Sequence, residues 1–260
     1  MKIITMLYGL ACYGLSLAAL TLFMLFANNH MGVLGIESLE SLNIDQLNGP
    51  PASSPLLINL GLLLLFGIQH SVMARPGFKQ ALTRLLPAAW ERSTYVLATS
   101  IVLLAIVQYW QPMGGQLWEV HNPAARLALK IAYFWGWGIT VAATFMLNHF
   151  HLFGLQQSLR PDNPDAGTKE FKTPLFYSVV RHPIQTGIVI AMVATPDMTT
   201  GRAVLAAGML IYVAIGLYFE ERDLVEEFGD TYRDYRERVP GVLPFLKLKR
   251  DNQPTQAETP

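Results

Sequence analysis

Acidic and basic side chains stand at the ends of two apolar stretches near the carboxyl terminus of the chain. The first stretch opens with "RHPIQTG" at 181–187, and the second closes with Glu220 and Glu221. Arginine and histidine are costly inside hydrocarbon, and proline removes a backbone hydrogen-bond donor. If the two stretches form a helical hairpin, these charges lie side by side at one end of it. Such a cluster suits a zwitterionic, water-soluble ligand; a set of interfacial anchors is the simpler alternative.

The composition is typical of a membrane protein. Of the 260 residues, 52% are hydrophobic and 15% are charged, whereas soluble domains contain about 25% charged residues. The formal net charge is zero, so bulk electrostatics indicate no nucleic-acid partner. Cys12 is the only cysteine, so neither a disulfide framework nor a thiolate metal cluster is expected, and no metal site is predicted.

Apolar runs of roughly 17–25 residues can cross a bilayer as helices. The sequence predicts four long spans, followed by two closely spaced runs that form an antiparallel hairpin, at 3–27, 56–74, 95–110, 127–147, 178–195 and 203–219. Unpaired strand edges are not tolerated in lipid, so every span is expected to be helical. The charged stretch 220–239 predicts a helix leaving the membrane, a turn at Gly229, and a short amphipathic helix ending near Pro240. The fold class is therefore all-α integral membrane, with about five to six membrane-embedded helices and a cytoplasmic amphipathic helix.

The distribution of basic residues predicts the orientation. The loop 28–55 contains no lysine or arginine, whereas the loops that follow the second and fourth spans carry several. The positive-inside rule then places both termini in the cytoplasm, in a bacterial inner membrane. We predict one polytopic domain over 1–248 and a disordered tail over 249–260, which lacks apolar residues.

The order of several motifs near the carboxyl terminus is more specific than any one of them. Arg-His-Pro-x-x-x-Gly, an apolar hairpin, Glu-Glu, Phe-Gly-x-x-Tyr-x-x-Tyr and Val-Pro follow one another within about 177–244. This arrangement resembles the isoprenylcysteine carboxyl methyltransferase family, in which the region wraps S-adenosyl-L-methionine at the cytoplasmic face. The resemblance implies this cofactor, and it implies that the residues that bind it are His182, Pro183, Ile184, Gln185, Gly187, Glu220, Glu221, Tyr232 and Tyr235.

Two positions depart from the pattern of that family. Gln185 stands where the family usually has a tyrosine, so an amide replaces part of an aromatic wall. Gly216 stands where the prenyl enzymes place an arginine that holds a carboxylate substrate, one turn before the paired acids. The loss of this cation argues against a carboxylate as the methyl acceptor.

Three stretches in the first part of the chain indicate a narrower group. "FGIQHSVMARPGF" at 66–78, "ERSTYVL" at 91–97 and "NHFHLFGLQQ" at 148–157 look like the corresponding stretches of methanethiol S-methyltransferases. This resemblance implies S-adenosylmethionine-dependent methylation of a small volatile thiol, most simply methanethiol to dimethyl sulfide. The implied partners are that thiol and the lipid bilayer; protein partners and the role of the loop 28–55 stay open.

A thiol acceptor must be deprotonated, because the thiolate is the nucleophile and a simple thiol titrates above neutrality. Histidine suits the role of base, and a nearby cation can stabilise the thiolate. The catalytic candidates at the cytoplasmic ends of the second and fourth spans are His70, Arg75 and His149.

Other functions remain as alternatives. The acceptor could be hydrogen sulfide, another alkyl thiol or, as in the isoprenylcysteine enzymes, a carboxylate. The histidines of "QHS" and "NH" lie on separate spans, and two such histidines can ligate haem iron in membrane proteins of the carotenoid-isomerase or nitric-oxide-reduction type. A non-catalytic membrane scaffold would show no ligand-dependent stabilisation.

Overall fold

The computed structural model describes residues 2–46, 53–162 and 171–245. The tail 249–260, which the sequence predicts to be disordered, lies outside these residues. The helices are α1 (Lys2–Ala27), α2 (Glu37–Glu40), α3 (Pro55–Ala74), α4 (Pro76–Thr83), α5 (Ala88–Tyr109), α6 (Pro123–Leu147), α7 (His149–Leu152), α8 (Leu155–Leu159), α9 (Phe176–Val179), α10 (Pro183–Val193), α11 (Thr200–Phe228) and α12 (Asp230–Arg238). A 3₁₀ turn (Met31–Leu34) follows α1, and two short strands are β1 (Gln116–Glu119) and β2 (Asp197–Thr199).

Five of these helices, α1, α3, α5, α6 and α11, are long and apolar enough to cross a bilayer. α10 has 11 residues and therefore extends about 16 Å, roughly half the thickness of the hydrocarbon layer. The predicted hairpin thus consists of one short helix and one long helix. An all-α integral membrane protein with about five to six embedded helices is confirmed.

The contacts between helices define the two ends of the bundle. α3 and α11 run in the same direction, because Gly67 lies beside Tyr212 and, further along both helices, Arg75 lies beside Phe219. α1 and α5 run the opposite way. We call the end at which α11 meets α12 the α12 end, and the other end, where β1 pairs with β2, the strand end.

The buried core lies toward the strand end, where α1, α5, α6, α10 and α11 meet. Phe26, Ile106, Tyr133 and Leu205 are nearly inaccessible there. Large apolar side chains on the outer faces of the long helices remain exposed, as expected for surfaces that contact lipid rather than water.

A buried arginine organises the strand end. The guanidinium of Arg202 donates hydrogen bonds to Asp45 Oδ2 at 2.9 Å and to Asn28 Oδ1 and Thr195 Oγ1 at 2.6 Å each. Asp45 belongs to the loop 28–55 and also accepts a hydrogen bond from Thr199, the residue that caps α11. The described part of this loop therefore anchors the beginning of α11.

The strands β1 and β2 are a feature that local sequence patterns did not predict. They pair antiparallel, with Trp118 opposite Met198 and Glu119 opposite Asp197. The residues at 196–201, "PDMTTG", have the composition of a turn between the two arms of the hairpin, yet 197–199 form β2. At the α12 end, in contrast, α11 runs on to Phe228, and α12 follows the turn at Gly229, as predicted.

Candidate active site at the α12 end

One carboxylate of α11 is shared by side chains from several segments. Glu221 Oε1 accepts a hydrogen bond from Arg181 Nε at 2.7 Å, and His182 Nε2 lies 2.7 Å from the same oxygen. The hydroxyl of Tyr232, in α12, donates to this oxygen at 3.2 Å. Glu221 Oε2 lies 4.0 Å from Arg236 Nη1. Glu221 therefore connects the start of α10 with the end of α11 and with α12.

The chain that follows α12 is hydrogen-bonded to the residues before α10. The backbone amides of Arg181 and His182 donate to the carbonyls of Pro240 and Gly241 at 2.9 and 3.1 Å. The guanidinium of Arg181 also donates to the carbonyl of Val239. These bonds satisfy amides that precede the first turn of α10, and they close one side of the site with residues 239–241.

Glu220 differs from its neighbour because it is open to solvent. Its side chain is 46% exposed, whereas that of Glu221 is 15% exposed. Glu220 Oε2 accepts a hydrogen bond from Gln185 Nε2 at 3.3 Å, and Oε1 lies 3.7 Å from His182 Nδ1. The paired acids thus differ in their surroundings: Glu221 holds the internal ion pairs, whereas the carboxylate of Glu220 is partly open to solvent. A part for either acid in cofactor binding stays a prediction.

The two acids also set the charge of His182. Burial disfavours the protonated imidazole, but the hydrogen bonds and charges of Glu220 and Glu221 together outweigh it, so the pKa of His182 lies above its ordinary value. Burial raises the pKa of Tyr235 to about 12. Its hydroxyl remains a neutral donor and hydrogen-bonds the carbonyl of Tyr177.

The remaining residues of the 181–187 motif pack α10 against α6. Pro183 is buried at the first position of α10, and the carbonyl of Ile184 accepts a hydrogen bond from Thr140 at 3.1 Å. Gly187 faces Gly136 so closely that a Cβ on either would overlap the backbone of the other. This packing fixes the start of α10; a part for Pro183, Ile184 and Gly187 in cofactor binding stays a prediction.

His70, in α3, lies deeper in the bundle and faces α5 and α11. Its Nε2 is 2.7 Å from the hydroxyl of Tyr95, and its Nδ1 is 3.3 Å from the hydroxyl of Thr99. Its ring stacks on Phe66 and meets the ring of Tyr212, with centroids 5.3 and 5.8 Å apart. Tyr212 precedes the exposed acid of α11 by eight residues, so this level is about 12 Å from that acid along the helix axis.

Arg75 lies close to the paired acids. Its Nη1 is 3.4 Å from Asp223 Oδ2, and its guanidinium carbon is 4.8 Å from the centre of the Phe219 ring. Phe219 and Asp223 flank the acidic pair in α11. The side chain of Arg75 is 44% exposed. Arg75 therefore supplies an accessible positive charge at the depth of Glu220.

His149 is enclosed by α1 and α6. Its Nε2 lies 2.9 Å from the hydroxyl of Tyr13 and its Nδ1 lies 2.8 Å from that of Thr144. The ring of Phe145 stacks parallel to it, with centroids 4.1 Å apart. Burial lowers the pKa of His149. A neutral imidazole with both nitrogens hydrogen-bonded is well suited to a place in the core.

The three candidate catalytic residues are thus not assembled in one place. His70 and Arg75 both contact α11, whereas His149 packs on another side of the bundle. The Nε2 atoms of His70 and His149 are each hydrogen-bonded to a tyrosine hydroxyl. Ligation of haem iron through either nitrogen would therefore require that tyrosine to move. Within the described ranges, no group of three or more histidine, cysteine or acidic side chains could hold a metal ion.

Sequence reasoning missed two residues of these clusters. Arg181 was expected beside the acids at 220–221 but was not among the candidate site residues, and Tyr95 lies within "ERSTYVL" without any pattern that connects it to His70. Arg92 Nε donates to the carbonyl of Leu152 at 2.8 Å, and its guanidinium carbon lies 5.1 Å from the centre of the Tyr95 ring. The only signal available was the position of these residues at the ends of apolar runs.

Comparison with known proteins agrees with these motifs over most of the chain. The model of the family described as NnrU protein matches residues 57–240. The chain belongs to the NnrU protein family. It is 44% identical to the methanethiol S-methyltransferase of Pseudomonas deceptionensis over 211 residues, which are 79% of this chain and 80% of the relative. It is 40% identical to the methanethiol S-methyltransferase of Mycobacterium tuberculosis over 245 residues, or 94% and 97% of the two chains.

These relatives confirm the resemblance to methanethiol S-methyltransferases. A more distant relative is the bovine protein nurim, which is 29% identical over 180 residues, or 65% of this chain and 68% of nurim. No solved structure matches the chain. The similarity therefore supports a methyltransferase of the membrane, and the site geometry rests on the contacts described above.

Proposed function

We propose that the protein transfers a methyl group from S-adenosyl-L-methionine to a small thiol, converting methanethiol to dimethyl sulfide at the cytoplasmic side of the membrane. The observation that carries this proposal is the similarity, over nearly the whole chain, to relatives that are named for this reaction. The contacts at the α12 end support the choice of site, because they combine the exposed carboxylate of Glu220 with the buried, hydrogen-bonded imidazole of His182.

The residues at the start of α10 and the end of α11 fit the proposed cofactor. S-adenosylmethionine presents hydroxyl and amino donors together with a positive sulfonium, and when bound it supplies an electrophilic methyl group. The exposed carboxylate of Glu220 can accept such donors and attract positive charge, and Gln185 adds an amide with both donor and acceptor atoms. The buried contact between His182 and Glu221 holds the neighbouring Gln185 and Glu220 in place.

The acceptor requires two further groups, one that removes its proton and one that favours its negative charge. His70 is the proposed base because its imidazole is partly accessible and its ring is held between Phe66 and Tyr212. Arg75 is the proposed electrostatic partner, since its guanidinium is exposed at the depth of Glu220. Positioning of the two reactants is the larger part of catalysis for an in-line displacement of this kind.

The membrane determines how the two reactants arrive. The excess of lysine and arginine in the loops at the α12 end supports a cytoplasmic location for this end. A charged cofactor then enters from the cytoplasm, whereas a small apolar thiol partitions into lipid and enters between the helices. This separation explains why a water-soluble cofactor and a volatile acceptor use a membrane-embedded enzyme.

The experiment is an assay of the purified protein in detergent with methanethiol and S-adenosylmethionine that carries a labelled methyl group. Labelled dimethyl sulfide in the headspace is expected. Hydrogen sulfide and a prenylcysteine analogue serve as competing acceptors, and preference for the analogue would favour the carboxyl methyltransferase alternative. A Soret band in the protein, with no labelled product, would favour the haem alternative.

Calorimetric titration with S-adenosylmethionine tests the cofactor site independently. Glu220→Ala should weaken binding, because the open carboxylate is removed. Glu226→Ala is the matched control, since it removes another exposed acid from the same helix. Equal affinities in the wild type and in Glu220→Ala would remove Glu220 from the site.

A further inference from the structure

The hydrogen bonds around His70 determine which ring nitrogen carries its proton. The hydroxyl of Thr99 donates to the backbone carbonyl of Tyr95 at 3.0 Å. A threonine hydroxyl has one hydrogen, so its oxygen can only accept from the ring. The Nδ1 of His70, 3.3 Å away, must therefore be the protonated nitrogen. Its Nε2 is then an acceptor, and the Tyr95 hydroxyl at 2.7 Å is the donor to it.

Neighbouring side chains keep this arrangement in place. Gln69 Nε2 donates to Thr99 Oγ1 at 3.3 Å, which uses a second lone pair of that oxygen. Phe66 and Tyr212 contact the ring of His70 from α3 and α11 and limit its rotation. The titratable and charged groups that act on the His70–Tyr95 pair come from α5 and α11 and are Glu91, Arg92 and Tyr212.

The tautomer has a consequence for thiol activation. The only basic lone pair of the imidazole is already occupied by a phenol, so a thiol cannot reach it directly. The oxygen of Tyr95, in contrast, donates to His70 and, among the described residues, makes no other hydrogen bond. A phenolic oxygen that donates one bond can still accept another. Tyr95 is 7% exposed, so its oxygen can take the proton only of a thiol that has entered between the helices.

We propose that Tyr95 relays the proton of the acceptor thiol to His70. This step rests on the proposed function. As the sulfur lone pair forms the new S–CH₃ bond, the electrons of the old methyl–sulfonium bond stay with the leaving sulfur. The S–H proton moves to Tyr95 Oη, and the phenolic proton moves to His70 Nε2. His70 ends as an imidazolium whose Nδ1–H remains bonded to Thr99.

A cation lies beside the relay and acts on its two members in opposite senses, because it favours negative charge on Tyr95 and disfavours positive charge on His70. The guanidinium carbon of Arg92 is 5.1 Å from the centre of the Tyr95 ring, and the bond from Arg92 Nε to the Leu152 carbonyl holds the side chain there. Positive charge at this distance favours the negative charge that develops on the phenolic oxygen and on the thiol. Arg92 is thus a positioning and electrostatic residue rather than a contact of the thiol.

His149 provides a control within the same molecule. The hydroxyl of Thr144 donates to the Val141 carbonyl at 2.6 Å, so His149 has the same tautomer and accepts a hydrogen bond from Tyr13. His149 is 4% exposed, and aromatic rings cover it. The two clusters share their hydrogen bonding, but only that of His70 contacts α11.

The test compares Tyr95→Phe with Tyr13→Phe, each of which removes one phenolic oxygen from a histidine. Tyr95→Phe should lower turnover of methanethiol near pH 7 by about 10²-fold, within the usual range for loss of acid–base assistance. Turnover should recover as the pH rises and the thiol ionises in solution. Affinity for S-adenosylmethionine should be unchanged, and Tyr13→Phe should keep the wild-type pH–rate profile.

Nitrogen NMR of histidine-labelled protein gives a readout that does not depend on activity. The His70 signals, identified by their loss in His70→Gln, should show protonated Nδ1 and unprotonated Nε2. Thr99→Val should disturb this pattern, and Thr99→Ser should retain it. The opposite tautomer, or wild-type turnover of Tyr95→Phe at pH 7, would overturn the relay alone. A wild-type protein that forms no dimethyl sulfide would overturn the proposed function and the relay together.

Discussion

Glu221 and His182 lie 39 residues apart in the chain, yet their side chains form a contact of 2.7 Å between Oε1 and Nε2. His182 is 4% exposed and Glu221 is 15% exposed, and Arg181 binds the same carboxylate oxygen. Removing the partner of a buried charge is strongly destabilising, so this carboxylate has a structural part whether or not it also contacts the cofactor. The contact therefore separates the roles of the two neighbouring acids in α11.

The first prediction concerns this separation. Glu221→Ala leaves Arg181 without its carboxylate partner and His182 with Glu220 alone, and breaking a buried ion pair typically costs about 3–5 kcal/mol. Glu220→Ala removes an exposed carboxylate and should change stability by no more than about 0.5 kcal/mol. Thermal unfolding in the same detergent compares the two variants. Equal stabilities would show that the buried pair contributes little to the fold.

The second prediction concerns the pH dependence of stability. The pKa of His182 is higher in the folded protein than in the unfolded chain, because Glu220 and Glu221 favour its charged form. Its contribution is therefore complete below the unfolded pKa of about 6.5 and decreases as the pH rises through the folded pKa. The melting temperature should exceed that of His182→Gln most at low pH, and the difference should shrink toward alkaline pH. A difference that grows with pH would contradict the assigned charge.

The spans of this fold could be predicted from the sequence because long apolar runs are a strong and local signal. The lengths of the two hairpin arms and the strand between them could not be predicted in this way. The run 178–195 was expected to be one helical arm, but α10 begins only at Pro183, whose missing amide hydrogen suits the first helical turn. β2 then pairs with β1, about 80 residues earlier. Pairing over such a distance leaves no periodic pattern in either segment.

The third prediction concerns the packing of α10 on α6. A Cβ at Gly187 would overlap the backbone at Gly136 and the side chain of Thr140, so Gly187→Ala should destabilise the protein by about 1–3 kcal/mol. Gly138→Ala is the control in α6, because a Cβ there meets nothing within 4 Å. Thermal unfolding should separate the two variants. Loss of cofactor affinity in Gly187→Ala without loss of stability would instead assign Gly187 to the binding site.

The grouping of charges at the α12 end could be predicted from the sequence, whereas the neighbours of His70 could not. Hairpin geometry places the charges of 181–182 beside those of 220–221, and the structure has them together. The surroundings of His70 depend on the rotation of three helices about their axes, which decides that Tyr95 and Thr99 face it. Apolar periodicity is weak when most faces of a helix contact either lipid or other helices. The sequence therefore does not predict that Thr99 and Tyr95 contact His70.

The last prediction concerns Gly216, which precedes Glu220 by one helical turn. A Cβ at this position meets nothing within 4 Å, so steric exclusion does not explain the absence of a larger side chain. If the missing cation reflects the choice of acceptor, the wild type should methylate a prenylcysteine analogue far more slowly than methanethiol. Gly216→Arg should improve the KM for that carboxylate by roughly 10-fold or more, since a hydrogen bond to a charged group is worth about 1.5–3 kcal/mol. Gly216→Gln, similar in reach but uncharged, is the control in the same methyl-transfer assay. Comparable wild-type rates with the analogue and with methanethiol would show that a small thiol is not the preferred acceptor.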